Sequence, residues 1–246
     1  MGVDSKINDN TMLGGSVTLL QNKIKYKEIK AGDKSKIDSW IFSIYGLHFL
    51  TPKWFMQGIA SVGFNKVKNT KARLTSIAVD LANSSYSSRT YGGELFAGYN
   101  HEIAQQTQLV PMIGMRYAKF VSDKYQEKNA TNVNLAISKK TVNKLEAVAG
   151  VKLAKQTMIN NIQVIPEIHG FINYDLNAKS PNIDVRLDGM VKPMSVKVTK
   201  PPRTVYTFGG GVVVKHKMME YEIGYDANVA NKYISHQGIV KIRVNF

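Results

Sequence analysis

The chain has 246 residues, 43% of them hydrophobic, and its 33 basic residues against 18 acidic ones give a formal net charge of +15. The absence of cysteine excludes disulfides, thiolate metal sites and cysteine nucleophiles. The chain has no run of ~20 apolar residues, which excludes a transmembrane helix. The excess of positive charge indicates an anionic neighbour such as nucleic acid, phospholipid or lipopolysaccharide.

Alternation of apolar and polar residues predicts an all-β chain of about ten antiparallel strands, joined in turn by tight turns and long polar loops. Strands this long exceed the usual ~5–6 residues of globular sheets. Minimal turns at one rim and variable loops at the other are typical of transmembrane β-barrels of the outer membrane. The predicted strands cover residues 11–26, 38–50, 54–64, 89–103, 108–121, 142–155, 162–174, 203–215 and 220–229, with a last strand ending at residue 246. The predicted long loops cover residues 27–36, 66–88, 122–141 and 175–202.

The last strand is apolar on one face and polar on the other. Successive side chains of a strand point to opposite faces, so its apolar set would face lipid and its polar set would face a wet lumen. The apolar set is Val240, Ile242, Val244 and Phe246.

The other predicted strands show the same segregation. An ionised side chain facing lipid costs ~2–4 kcal/mol at the membrane midplane, so acids and lysines should keep to the lumen face. The predicted polar lumen residues are Glu94, Glu146, Lys152, Glu167, His169, Glu222 and Asp226.

Four segments give the chain a family resemblance: residues 8–15, 91–99, 109–117 and 238–246. With these motifs the sequence resembles the carboxy-terminal translocator of type V autotransporters, and most of all the rickettsial surface cell antigen group. The resemblance implies a twelve-stranded barrel in the bacterial outer membrane, with loops at the cell surface and a helix through the lumen. It also implies that the barrel exports an upstream passenger domain and is monomeric. Residues 1–246 would then be one translocator domain that lacks its first hairpin and its lumen helix.

The resemblance also implies partners. In this family the last strand is the signal for the barrel-assembly machinery, a role that Val240, Ile242, Val244 and Phe246 would carry here. The lysine-rich loops could contact lipopolysaccharide phosphates. Nucleic acid is not expected, because few aromatic residues lie among these lysines. No cofactor, metal or catalytic residue is expected.

Two alternatives remain open. One is a standalone ten-stranded porin. The other is a protease at the outer rim, where Asp226 and His236 could act, although the sequence shows no Asp–Asp or His–Asp pair. The five histidines have no close metal-ligand spacing and are expected to be polar wall residues. Gly209, Gly210 and Gly211 indicate a closely packed or kinked strand rather than a phosphate loop, since no helix follows them.

Overall fold

The structure is a computed structural model that describes residues 1–26, 31–74, 79–180, 182–197 and 201–245. Most of this chain is β-strand, and these segments include no helix long and apolar enough to cross a membrane. The strands are β1 (Gly2–Asn8), β2 (Thr11–Lys25), β3 (Lys34–Phe49), β4 (Trp54–Leu74), β5 (Val79–Tyr99), β6 (His101–Ala104), β7 (Thr107–Ser122), β8 (Tyr125–Gln126), β9 (Leu135–Ile137), β10 (Lys140–Lys155), β11 (Thr157–Ile159), β12 (Ile162–Asp175), β13 (Asn182–Leu187), β14 (Met194–Lys197), β15 (Thr204–His216), β16 (Met219–Ala230) and β17 (Tyr233–Val244).

Eleven strands follow one another as antiparallel neighbours in the main sheet, in the order β1-β2-β3-β4-β5-β7-β10-β12-β15-β16-β17. The short strands β6 and β11 pair with β7 and β12 near the tight turns. The predicted antiparallel all-β architecture is confirmed. The structure adds β1, which the prediction omitted because only Val3 and Ile7 of this seven-residue strand are large and apolar.

Most of the tight turns lie at one end of the sheet, and the turn at Asn231 and Lys232 lies at the other. Asn160 and Asn161 both have positive φ, as a two-residue hairpin turn that follows the strand twist requires. This turn joins Ile159 to Ile162, which are directly paired. Lys217 and Gln106 have positive φ at the neighbouring turns of the same end. The predicted short connections are therefore confirmed there.

The predicted loop over residues 66–88 is wrong. β4 continues to Leu74, β5 begins at Val79, and each strand is 21 residues long. The extension lacks an apolar face. Its polar side chains form hydrogen bonds with one another across neighbouring strands; for example, Ser35 Oγ donates to Asn69 Oδ1 at 2.7 Å. The two strands therefore project beyond the apolar zone of the sheet.

The predicted loops 122–141 and 175–202 also contain strands, which combine into a second sheet in the order β14-β13-β9-β8. This sheet docks on the projecting part of β5, where Tyr125 stacks on Tyr86 with ring centroids 4.1 Å apart. The buried Glu127 accepts a hydrogen bond from Arg73 Nε at 3.0 Å. Burial raises the pKa of Tyr125 to about 12 and also raises the pKa of Tyr86.

The two faces of the main sheet differ in chemistry. Large apolar side chains such as Trp40, Ile113 and Ile223 are exposed on the outward face. Side chains of the opposite face contact one another across intervening strands, as expected for the concave, inner face of a curled sheet. Arg243 of β17 reaches Asp4 of β1 on this inner face, with Nη2 2.6 Å from Oδ2. The two ends of the sheet therefore approach each other.

No ladder joins β1 to β17 in the described part of the chain. Because all eleven strands of the main path alternate in direction, β1 and β17 run the same way. Direct antiparallel pairing between them is excluded by this geometry, so each presents a free edge.

Candidate functional site

The register of the main sheet places all seven predicted lumen residues on the inner face. Glu94 pairs with Arg116, and Arg116 pairs with Glu146, so the three share one transverse row. Lys152 pairs with His169, which continues through Gly209 to Asp226 in a second row. The other two residues that the register places on this face are Glu167 and Glu222.

Arg116 organises the first row and was missed by the sequence prediction. Its Nε donates to Glu94 Oε1 at 2.8 Å and its Nη2 to Glu94 Oε2 at 3.3 Å, a two-pronged contact that suits the guanidinium. Its Nη1 lies 3.9 Å from Glu146 Oε2, and Lys144 Nζ lies 2.6 Å from Glu146 Oε1. The alternation within the predicted strand 108–121 could have found Arg116, since it falls on the face opposite Ile113 and Met115.

His169 and Asp226 form the second contact, across an intervening strand. His169 Nε2 lies 2.9 Å from Asp226 Oδ1. Gly209 of β15 lies between them, and a Cβ at this position would overlap both side chains. The predicted close packing at Gly209 is therefore confirmed, and glycine is required there for the contact to form.

Glu167 and Lys152 extend this contact along the wall. Lys152 Nζ donates to Glu167 Oε2 at 3.0 Å. Glu167 Oε1 lies 3.9 Å from His169 Nδ1, a buried atom with no hydrogen-bond partner among the described residues. The side chains of β10, β12 and β16 thus form one continuous polar chain. Glu222 is paired separately, with Lys241 Nζ 3.3 Å from its Oε2.

The inner face also carries an apolar cluster that the prediction of a polar lumen did not include. Its buried members are Phe55, Phe96, Val110, Met112 and Val148, with Leu47, Phe49 and Phe171 packed against them. The cluster starts beside the turn between β3 and β4 and extends along the strands away from that turn. The interior therefore carries apolar side chains beside the charged ones, on several of the same strands.

The residues proposed for a rim protease do not come together. Asp226 is on the inner face of β16, whereas the register of β16 with β17 places His236 on the outward face. His236 Nδ1 contacts the Tyr225 hydroxyl at 2.5 Å instead. The expectation that the chain has no His–Asp pair is also wrong, since His169 and Asp226 form one.

The outward face of β17 carries the residues predicted as the assembly signal. Val240 and Ile242 are 76% and 63% exposed, and Val244 is also exposed on this face. Their cross-strand partners on β16 are Ile223, Tyr221 and Met219. The fourth residue, Phe246, lies outside the described residues.

Comparison with known proteins identifies the family. The profile described as "Autotransporter beta-domain" matches residues 1–227. The chain belongs to the autotransporter beta-domain family. This agrees with the resemblance inferred from its sequence motifs.

Named relatives agree with the assignment. The chain is 36% identical over 252 residues to "Outer membrane protein A" of Rickettsia conorii, with 100% of this chain and 12% of that protein covered. It is 34% identical over 253 residues to "Outer membrane protein B" of Rickettsia prowazekii, with 100% of this chain and 15% of that protein covered. The chain therefore spans a small part of these relatives. As their names and the family indicate, it is a protein of the bacterial outer membrane.

Solved structures share the fold. The translocator domain of the autotransporter NalP from Neisseria meningitidis superposes with a TM-score of 0.80 at 19% identity, covering 100% of this chain and 77% of that one. The beta domain of the Bordetella autotransporter BrkA superposes with a TM-score of 0.68 at 11% identity, covering 100% of this chain and 88% of that one. At these identities the likeness concerns the fold alone. It supports a transmembrane β-barrel.

Proposed function

We propose that this β-domain anchors an amino-terminal passenger domain in the outer membrane and translocates it to the cell surface. The observation that carries the proposal is the antiparallel sheet itself. One of its faces is apolar and exposed, the other is ion-paired, and the sequence matches the autotransporter beta-domain over residues 1–227. Such a sheet satisfies its backbone internally and suits a lipid environment once it is closed.

Closure of the barrel is part of the proposal. β1 and β17 run in the same direction and each has a free edge, so a single strand of opposite direction could pair antiparallel with both. With the eleven strands of the main path, this strand would complete a barrel of twelve. Residues 1–246 would then be one translocator domain to which an upstream strand and a lumen helix are added, and β1 would supply one strand of the first hairpin.

The proposed partners follow from the two ends of the domain. The barrel-assembly machinery would recognise the apolar side chains of the last strand, which are Val240, Ile242, Val244 and Phe246. The projecting, lysine-rich strands would contact lipopolysaccharide. The passenger is the third partner, and we expect a monomeric barrel that binds no nucleic acid. We further propose that the domain has no catalytic activity, which the opposed faces of Asp226 and His236 support.

Barrel closure can be tested by gel mobility after refolding in detergent. The 246-residue chain is compared with a version extended at its amino terminus by the residues that precede the matched region in Outer membrane protein A of Rickettsia conorii. We expect only the extended chain to migrate as a compact, SDS-resistant species. Compact migration of the 246-residue chain alone would contradict closure by an added strand and would favour a standalone porin.

Translocation needs a separate measurement in cells. An epitope fused to the amino terminus of the extended chain should become accessible to external protease in intact cells. A compact barrel whose epitope stays protected in intact cells, but not in lysed ones, would contradict the export function while leaving the anchor intact.

A further inference from the structure

A patch of lysines lies on the outward face of the sheet, where β2, β3 and β4 leave the apolar zone. Lys23 pairs with Lys36, and Lys36 pairs with Lys68, so three ammonium groups share one transverse row. Lys25 and Lys34 pair in the next row away from the apolar zone, and Lys66 lies one row closer to that zone. We call these six residues the lysine patch: Lys23, Lys25, Lys34, Lys36, Lys66 and Lys68.

The row of residues beneath the patch is apolar. Leu19, Trp40 and Phe64 are paired in one transverse row on the same outward face, and Trp40 is 55% exposed. Trp is enriched where a membrane protein crosses from the hydrocarbon to the headgroups. Two residues further along, the next outward row holds Gln21, Asp38 and Lys66, and the row of Lys23, Lys36 and Lys68 follows four residues from the apolar row. The lysine patch therefore lies at the level of the lipid headgroups, on the side of the projecting strands.

The patch is short of counter-charge. Asp38 is the only acid in contact with it in the described part of the chain, with Oδ2 3.2 Å from Lys36 Nζ and Oδ1 bonded to Gln21 at 3.0 Å. No other member of the patch has an ion-pair partner among the described residues. Like charges directly opposite each other on neighbouring strands are destabilising. A bound anion would therefore relieve the repulsion within the adjacent pairs Lys23–Lys36, Lys36–Lys68 and Lys25–Lys34.

We propose that the lysine patch binds the phosphorylated headgroup of an outer-leaflet glycolipid, that is, the lipid A part of lipopolysaccharide. The patch shares the outward face of the sheet with the lipid-facing row of Trp40, and Lys66 lies in the row next to it, which favours a membrane lipid over a soluble anion. Pairing neighbours stand about 5 Å apart and rows about 7 Å apart, so several ammonium groups can contact one headgroup. This inference refines the lipid partner of the proposed function and rests on its orientation in the membrane.

The experiment uses the refolded, extended chain in detergent and follows the fluorescence of Trp40. The 246 residues contain two tryptophans, so Trp54→Phe, with any tryptophan of the added segment also replaced by Phe, leaves Trp40 as the single reporter beside the patch. The probes are bis-phosphorylated lipid A, dephosphorylated lipid A and inorganic phosphate. We expect a saturable change with bis-phosphorylated lipid A alone. An equal response to dephosphorylated lipid A, or protection by millimolar inorganic phosphate, would overturn the lipid-headgroup assignment.

A triple variant tests the row itself. Lys23→Gln, Lys36→Gln and Lys68→Gln together should weaken lipid A binding by about 100-fold, since each lysine near an anionic surface contributes several-fold. The control variant carries Lys53→Gln, Lys217→Gln and Lys232→Gln, which removes the same charge from exposed turns, and should bind as the parent does. Equal binding by the triple variant and the control would overturn the proposal.

The same variants are scored for SDS-resistant mobility and for display of the epitope. Loss of lipid A binding with both readouts retained is the expected result. A parent protein that binds lipid A through the patch but fails to display the epitope would contradict the translocation function and leave the lipid site standing.

Discussion

His169 Nε2 and Asp226 Oδ1 lie 2.9 Å apart although a strand runs between their own strands. The contact passes over Gly209, the residue that pairs with both of them. Three strands are thereby joined by a side-chain contact as well as by their backbone ladders. This arrangement depends on the absence of a side chain at residue 209.

Replacing Gly209 by alanine should break this contact. The new methyl group would overlap both side chains, so the half-buried His–Asp hydrogen bond would be lost. We expect the free energy of unfolding to fall by about 1–3 kcal/mol and the temperature of the heat-modifiable mobility shift to fall with it. Gly238→Ala is the matched control, since no atom lies within 4 Å of a Cβ there. Equal thermal stability of the two variants would show that the contact does not stabilise the fold.

Removing the guanidinium of Arg116 should destabilise the wall between β5 and β10. Arg116→Gln leaves the Glu94 and Glu146 carboxylates, of which Glu146 is buried, without their shared partner. We expect a loss of about 1–3 kcal/mol in urea unfolding. Arg89→Gln, at an exposed outward position, should have little effect. Combining Arg116→Gln with Glu94→Gln should cost less than the sum of the single changes, and strict additivity would contradict a direct interaction.

The contact between Asp4 and Arg243 should bring the two free edges of the sheet together. Either Asp4→Asn or Arg243→Gln removes the charged hydrogen bond of 2.6 Å. In the 246-residue chain, whose two edges carry no added strand, we expect faster hydrogen exchange at the backbone amides of β1 and β17 in both variants, because opening of the seam becomes easier. The amides of β7 and β10 should be unaffected. The reversed pair, Asp4→Arg with Arg243→Asp, should restore much of the protection. Unchanged exchange in the single variants would mean that the contact does not hold the edges.

Docking of the second sheet should weaken at high pH. The pKa of Tyr125 is about 12 in the folded state against about 10 in the unfolded chain. The neutral phenol is therefore favoured by folding, and its contribution is complete below pH 10 and is lost as the pH rises through 12. We expect a difference titration of the parent against Tyr125→Phe, followed by tyrosinate absorbance, to show a tyrosine ionising near pH 12. An ionisation near pH 10 would contradict burial of this side chain against Tyr86.

Alternation in the sequence was sufficient to predict the two faces of the main sheet. It placed Glu94, Asp226 and Val240 on their observed sides, because the facing of a strand residue depends only on its parity. It failed at residues 66–88, because a strand that projects beyond the membrane needs no apolar face. It also missed β1, whose polar residues are stabilised by pairing with β2 rather than by burial.

Contacts between distant strands could not be predicted from parity. The bond between His169 and Asp226 depends on the order of β12, β15 and β16 and on their register. The inner apolar cluster has the same origin, since Phe55, Phe96 and Met112 come from three different strands. Each of them is unremarkable in its own segment. Only their neighbours in space explain why they lie on a face that is otherwise polar.

The uneven lining of the interior has a consequence for any helix that lies along it. Near the tight turns, β3, β4, β5 and β7 present Phe49, Phe55, Phe96 and Met112, with Phe171 of β12 packed against them, whereas Lys152, Glu167 and Glu222 lie on β10, β12 and β16. An amphipathic helix in this space would have one rotational orientation in which its apolar stripe meets the aromatic wall. Half a turn away, its charges would face phenyl rings. The interior would therefore fix the rotation of such a helix about its own axis. It would also set the direction in which the attached chain leaves the outer mouth.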